Sequence, residues 1–178
     1  MKKLIFIGLV AALVVTSSVF AYAFTTATAT IAVNVIQSDF AEVTANTTYS
    51  PPTVFGRYTG TWPTGTLFNV MPYVGTENYT GDLIVKVYLV NTGQLIRYYH
   101  HFNMSLDFQD STGATAHIQS ENQTLTLQNA AVLFDWQSGT GTPPYRVQVT
   151  GGSYRLHPWR TMSGGSVVPQ LWCEVTQR

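Results

Sequence analysis

The sequence predicts an all-β protein, a jelly-roll-like antiparallel β-sandwich of about nine strands with an extended N-terminal donor strand. Three observations carry that expectation. β-branched and aromatic residues recur in short runs with period-two alternation, Gly and Pro punctuate those runs, and no segment sustains a 3.6-residue apolar period. The chain divides into residues 1–23, a secretion signal, 24–36, the donor strand, and 37–178, a single sandwich domain with no internal repeat.

Lys2 and Lys3 precede an apolar run from Leu4 to Val15, and Ala21-Tyr22-Ala23 supplies a small-x-small cleavage site with the cut between Ala23 and Phe24. The run is shorter than the roughly 18 residues a spanning helix needs, and Thr16, Ser17 and Ser18 interrupt it, so export with removal is expected rather than anchoring. Contact with the membrane is then confined to export. From Phe24 to Ile36 the chain is uncharged. Ala27, Ala29, Ile31, Val33 and Val35 share one face of this extended segment, and Thr26, Thr28, Thr30 and Asn34 the other. A strand with no sequence neighbour to pair with suggests assembly through strand exchange.

Thr53 to Thr61 and Leu67 to Val74 read as the next strands, followed by a long hairpin. In that hairpin Leu83, Val85, Val87 and Leu89 alternate with Ile84, Lys86, Tyr88 and Val90. Asn91-Thr92-Gly93 makes the turn, and the chain returns through Gln94 to Phe108. The return places Ile96, Tyr98, Phe102, Met104, Leu106 and Phe108 on one face and Arg97, His101, Asn103, Ser105 and Asp107 on the other. Asp110 to Gly113 is a turn, Ala116 to Ser120, Gln123 to Gln128 and Ala131 to Trp136 are strands, and Gln137 to Pro144 is a loop. Tyr145 to Thr150 is a strand that turns at Gly151-Gly152 into Ser153 to Leu156, and the last strand lies within Val167 to Gln177.

Removing Lys2 and Lys3 from the nine basic residues leaves seven against nine acidic ones, a net charge of −2. Such a chain carries no polyanion-binding field, so no nucleic-acid partner is expected. The polar surface is built from Thr, Ser, Asn, Gln and Tyr more than from charge. Cys173 is the only cysteine, so no intrachain disulfide forms, and its parity with Leu171 and Val175 reads as a small buried hydrophobe.

Chemistry-bearing motifs are few, and no cofactor is expected. The sequence holds no His-Glu-x-x-His, Gly-x-Ser-x-Gly or phosphate-loop pattern. Among His100, His101, His117 and His157, the adjacent pair should point to opposite faces, with His100 on the apolar one as a core histidine. Asp107, Asp110, Glu121 and Asp135 are the acids that a glycoside-cleaving pair would draw on, and Asp110 suits a solvated Asp-Ser-Thr-Gly turn best. Trp62, Trp136, Trp159 and Trp172 are expected as core or interface anchors. Asn46, Asn78, Asn103 and Asn122 begin Asn-x-Ser/Thr sequons and are candidate N-glycosylation acceptors, of which Asn103 is favoured by its place on a polar strand face.

The junction Ala21-Tyr22-Ala23-Phe24 with Thr25 to Val35 behind it, and the ending Leu171 to Gln177, resemble the two ends of TasA/camelysin-type biofilm matrix proteins and of the related archaeal bundling pilins. That resemblance covers the two ends and the general strand pattern between them. It implies a jelly roll that polymerises by donor-strand complementation, with the face Ala27, Ala29, Ile31, Val33 and Val35 entering a neighbouring copy. The departures are a Lys-poor body and the lack of a recognisable metallopeptidase site, so the protease activity attached to the camelysin name is not expected here.

Three classes of function follow. The first is a structural subunit of an extracellular pilus or matrix filament, a homopolymer of this chain with covalent glycans as candidate decorations and no enzymatic activity. The alternative is a monomeric secreted or cell-surface adhesin or carbohydrate-binding module, in which Phe24 to Ile36 pairs within its own sheet. An extracellular hydrolase is third.

Overall fold

A computed structural model of the chain describes residues 32–36, 38–46, 49, 59–74, 77–121, 123–158 and 169–178. The secretion signal with its Ala23/Phe24 junction, the donor positions Ala27, Ala29 and Ile31, the sequon at Asn122 and Trp159 lie outside the described residues.

The described elements are β1 (Ala32–Val35), β2 (Glu42–Ala45), β3 (Thr59–Thr61), β4 (Gly65–Met71), β5 (Tyr73–Val74), β6 (Glu77–Asn78) and β7 (Leu83–Leu89). A one-turn helix α1 (Thr92–Leu95) follows, then β8 (Tyr99–Gln109), β9 (Gln119–Glu121), β10 (Thr124–Thr126), β11 (Ala131–Trp136), β12 (Tyr145–Leu156) and β13 (Gln170–Gln177). One sheet has the order β1-β13-β7-β11-β9 and the other β10-β8-β12-β4-β2, with β3 alongside β12 and a separate β5-β6 ribbon. From β7 to β13 every connection crosses from one sheet to the other.

Taking β1, β4, β7, β8, β10, β11, β12 and β13 as strands one to eight, the sheets read 1-8-3-6 and 2-7-4-5. That is the strand order of a jelly roll, so the expected all-β class and sandwich architecture are both present. The core lies between the sheets. In β7, β11 and β12 buried and half-buried residues alternate as the pleat requires, and Val85, Val87, Val132 and Phe134 face Phe68, Met104, Leu106, Phe108, Val147 and Val149. Phe108 stacks on Phe134 across the interface with ring centroids 6.0 Å apart.

Three expectations require correction. β7 and β8 do not form a hairpin: β7 pairs with β13 and β11, and β8 with β12 and β10, in the opposite sheet. α1, with Leu95 buried, carries the chain across the end of the sandwich. Gly151-Gly152 is not a turn either. β12 runs straight through it, with a bulge that lets the strand follow β8 along its whole length. At Gly152, where φ is +129°, a Cβ would meet the Asn103 carbonyl oxygen at 2.5 Å, so the strands approach there only because no side chain intervenes. Finally, neither His100 nor Ile96 is on the apolar face, Ile96 lying exposed at the end of α1 before β8 begins. A second bulge opposite Arg155 and Leu156 shifts the phase of β8, so Tyr99 and Phe102 are buried while His100 and His101 are both exposed.

Candidate functional site

The first candidate site is the slot beside β13. Along β13 the side chains of Leu171, Cys173 and Val175 are buried in the core, while Gln170, Trp172 and Glu174 point away from it. On one side β13 is fully paired with β7, from Leu171↔Leu89 to Gln177↔Leu83. On the other side stands β1, at the edge of the sheet.

β1 differs from its neighbours in three ways. It runs parallel to β13, with Ala32↔Gln170, Val33↔Leu171, Asn34↔Trp172 and Val35↔Cys173, whereas every other ladder in the two main sheets is antiparallel among the described residues. Parallel pairs are slightly weaker per residue. It covers only the first four residues of an eight-residue strand. All four of its residues are half-buried, so Val33 and Val35 pack against the core without entering its fully buried part. Hydrogen bonds from the Ala32 N–H to the Pro169 carbonyl and from the Ile36 N–H to the Cys173 carbonyl, both 2.9 Å, close the two ends of the pairing. Past Ile36 the main-chain ladder gives way to a side chain, as Ser38 Oγ donates to the Val175 carbonyl at 2.7 Å.

Val33 and Val35 stand opposite Leu171 and Cys173 and share their core-facing side, as the sequence parity requires. Cys173 is fully buried, and that burial, with the Glu174 carboxylate beside it, pushes its thiol well above the ordinary range. It is the inert packing cysteine that its position in β13 suggested.

The remaining candidates are dispersed. Asp110 is in the expected turn, but it is buried rather than solvated. Its carboxylate accepts from the Thr112 N–H at 2.8 Å, the Thr112 hydroxyl at 2.6 Å, the Ala114 N–H at 3.1 Å and the Thr142 N–H at 3.2 Å. The Thr112 hydroxyl above all, with these backbone donors, holds its pKa below the usual carboxylate value. Asp107 receives His117 Nε2 at 3.0 Å, the Thr115 hydroxyl at 3.1 Å and Gln109 Nε2 at 2.9 Å. Asp135 pairs with Arg178 at 3.4 Å. These acids are each engaged in local structure, and the side chain of Glu121 lies outside the described residues. Among the described residues no group of three His, Cys, Asp or Glu side chains is arranged to hold a metal ion.

Trp62 and Trp136 are buried, the first against Phe102 and Tyr154, the second against Tyr145 with its Nε1 donating to the Thr140 carbonyl at 3.0 Å. Trp172 is half-buried on the outward side of β13. The sequons separate by geometry. The Asn46 amide donates to the Thr66 carbonyl at 3.0 Å, and the Asn103 carboxamide oxygen accepts from the Ser153 N–H and hydroxyl, so both side chains are engaged. Asn78 is exposed on β6, which makes its side chain the most open of the three candidate acceptors among the described residues.

Two features escaped sequence reasoning. The sequence gives no sign that β1 would run parallel, because alternation carries no direction. The bulge that brings His100 and His101 out together is signalled only by two polar residues in succession between Tyr99 and Phe102. The chain matches no protein-family model and no curated protein.

Proposed function

We propose that this chain, once its secretion signal is removed, is the structural subunit of an extracellular filament, polymerising head-to-tail by donating residues 24–36 to the β13 edge of the next copy. The observation that carries this reading is β1 itself: a short, parallel, half-buried strand in the slot where a jelly roll places its first strand beside its last. A strand so held can leave while the rest of both sheets stays paired. It would uncover a row of main-chain groups from Gln170 to Cys173 together with the Leu171 and Cys173 side chains, a combination that invites strand addition. The donor segment Ala27 to Val35 is nine residues long, enough to line the whole of β13, of which β1 pairs with half. Donor and acceptor are different surfaces, so the contact propagates instead of closing a dimer. The function is mechanical and needs no catalytic residue, cofactor or nucleic-acid partner.

The alternative, a monomeric secreted or cell-surface adhesin or carbohydrate-binding module, is favoured by one specific observation, namely that β1 does pair within its own sheet in a single copy. Negative-stain microscopy of the mature secreted protein separates the two. Filaments built from this chain support the assembly reading, and monodisperse globules under all assembly conditions support the adhesin.

A further inference from the structure

We propose that the groove between β3, β8 and β12 is a binding site for the oxyanion groups, carboxylate or sulfate, of an acidic saccharide. The groove is a cavity of about 650 Å³ on the outer face of the second sheet, within the size range of small-ligand sites. Two cross-strand rows form its floor. Thr59, Arg155 and His101 stand side by side in one, and Thr61 and Ser153 in the next. The bulge in β8 adds His100 to the same face, and the ring of His157 meets that of His100 edge-on at 5.4 Å.

Two features of this arrangement point to an anion. Among the described residues lining the cavity every polar side chain carries a hydrogen-bond donor, that of Ser153 being given to Asn103, and no carboxylate is among them. Arg155 is exposed and has no ion pair among the described residues, in a mature chain that has only seven basic residues to place. The guanidinium offers a planar fork matched to carboxylate and sulfate, the Thr59 and Thr61 hydroxyls suit the neutral positions of a sugar ring, and the flanking imidazoles add ring N–H donors. Among the described residues the titratable and charged groups facing the cavity are His100 and His101 from β8, Tyr154 and Arg155 from β12, and His157 just beyond, while β3 contributes none. Burial raises the Tyr154 phenol, so it remains a neutral wall. Gly60 lies flat on that ring, and a Cβ there would be 2.5 Å from it, which keeps β3 close enough to form the groove's rim. The site is remote in sequence from β1 and stands whether or not the chain polymerises.

The test is calorimetric titration of the mature full chain with polygalacturonate, dextran sulfate and neutral dextran, at constant ionic strength near pH 7.5. Binding is expected for one or both anionic polymers and not for dextran. Arg155→Gln should weaken it roughly tenfold or more, as loss of a charge-assisted hydrogen bond does. The double change His100→Gln with His101→Gln should weaken it by a smaller factor, because the oxyanion rests on the guanidinium. These positions are exposed, so near-ultraviolet dichroism should match wild type. Preference for sulfate over carboxylate, or the reverse, identifies the oxyanion. Equal binding of neutral dextran, no binding of either anionic polymer, or binding unchanged by Arg155→Gln would overturn the assignment.

Discussion

Deletion of residues 24–35 is the perturbation that separates a removable strand from an integral one. Val33 and Val35 are the apolar residues of β1 that reach the core, and both are half-buried. At about half of the 1.5–3 kcal/mol that full burial of a Val side chain contributes, the pair is worth ~1.5–3 kcal/mol. The ladder to β13 adds hydrogen bonds worth about 1 kcal/mol net each, and these are offset by the conformational entropy of ordering four residues at about 1–2 kcal/mol each. The deletion should therefore cost about 1.5–3 kcal/mol, against the 5–15 kcal/mol typical of a domain's stability. For a domain of this size that lowers Tm by about 3–12 °C. Circular dichroism should show a folded β-protein with a lowered, still cooperative melt, and sedimentation should show no polymer. Adding a peptide of residues 24–36 at about a hundred times its Kd should return ~2.7 kcal/mol by mass action. A truncated chain that is unfolded both with and without the peptide would show that β1 belongs to the core and would refute the reasoning.

Other perturbations report on the same structure. Val33→Asp places a carboxylate opposite buried Leu171, so it should abolish filaments while the variant still accepts an unmodified donor, whereas Thr30→Asp, on the opposite parity, should permit assembly. Electron microscopy of the two variants alone and mixed with wild type checks this. Asp110 has a folded pKa below the ordinary carboxylate value, so its contribution is fully present above that ordinary value and disappears as pH falls through the lowered one. Acid titration followed by dichroism should show Asp110→Asn already lacking that acid-sensitive step. Cys173 should resist a thiol reagent near pH 8 in the folded subunit and react when denatured, and mass spectrometry of the labelled protein reads the difference.

Much of the sandwich was legible because alternation is a local property of the chain. The bounds of β11, Ala131–Trp136, follow directly from Val132, Phe134 and Trp136 sharing one parity, and the burial of Leu171, Cys173 and Val175 follows in the same way. What alternation cannot convey is which strand lies beside which. Leu83 to Leu89 and Phe102 to Phe108 carry the patterns of two strands facing one core, and that pattern is the same whether they pair edge to edge or pack face to face. The turn-like Asn91-Thr92-Gly93 favoured the hairpin, yet the segment forms one helical turn anchored by Leu95. The two bulges in β12 and β8 depend on cross-strand register, so the Gly151-Gly152 turn and the inward His100 were read from local signals that tertiary pairing overrides. At the candidate slot the face of β1 was readable, and its direction and partner were not.

Cysteine scanning of the donor strand against Cys173 tests the assembly claim most directly. Ala27, Ala29, Ile31, Val33 and Val35 are changed to Cys one at a time, filaments are formed from unfolded subunit in a thiol–disulfide redox buffer so that Cys173 can pair before it is buried, and the products are separated without reductant. Val35 is the Cα partner of Cys173 in the isolated subunit, at the roughly 4.8 Å spacing of paired strands and so within disulfide reach. Soluble monomer should therefore give an intrachain bond for Val35→Cys. In filaments, donor-strand assembly predicts a ladder of inter-subunit disulfides from at least one of the five positions, with Thr28→Cys and Thr30→Cys giving none. Filaments in which Val35→Cys yields only intrachain bonds and no position yields a ladder would contradict it.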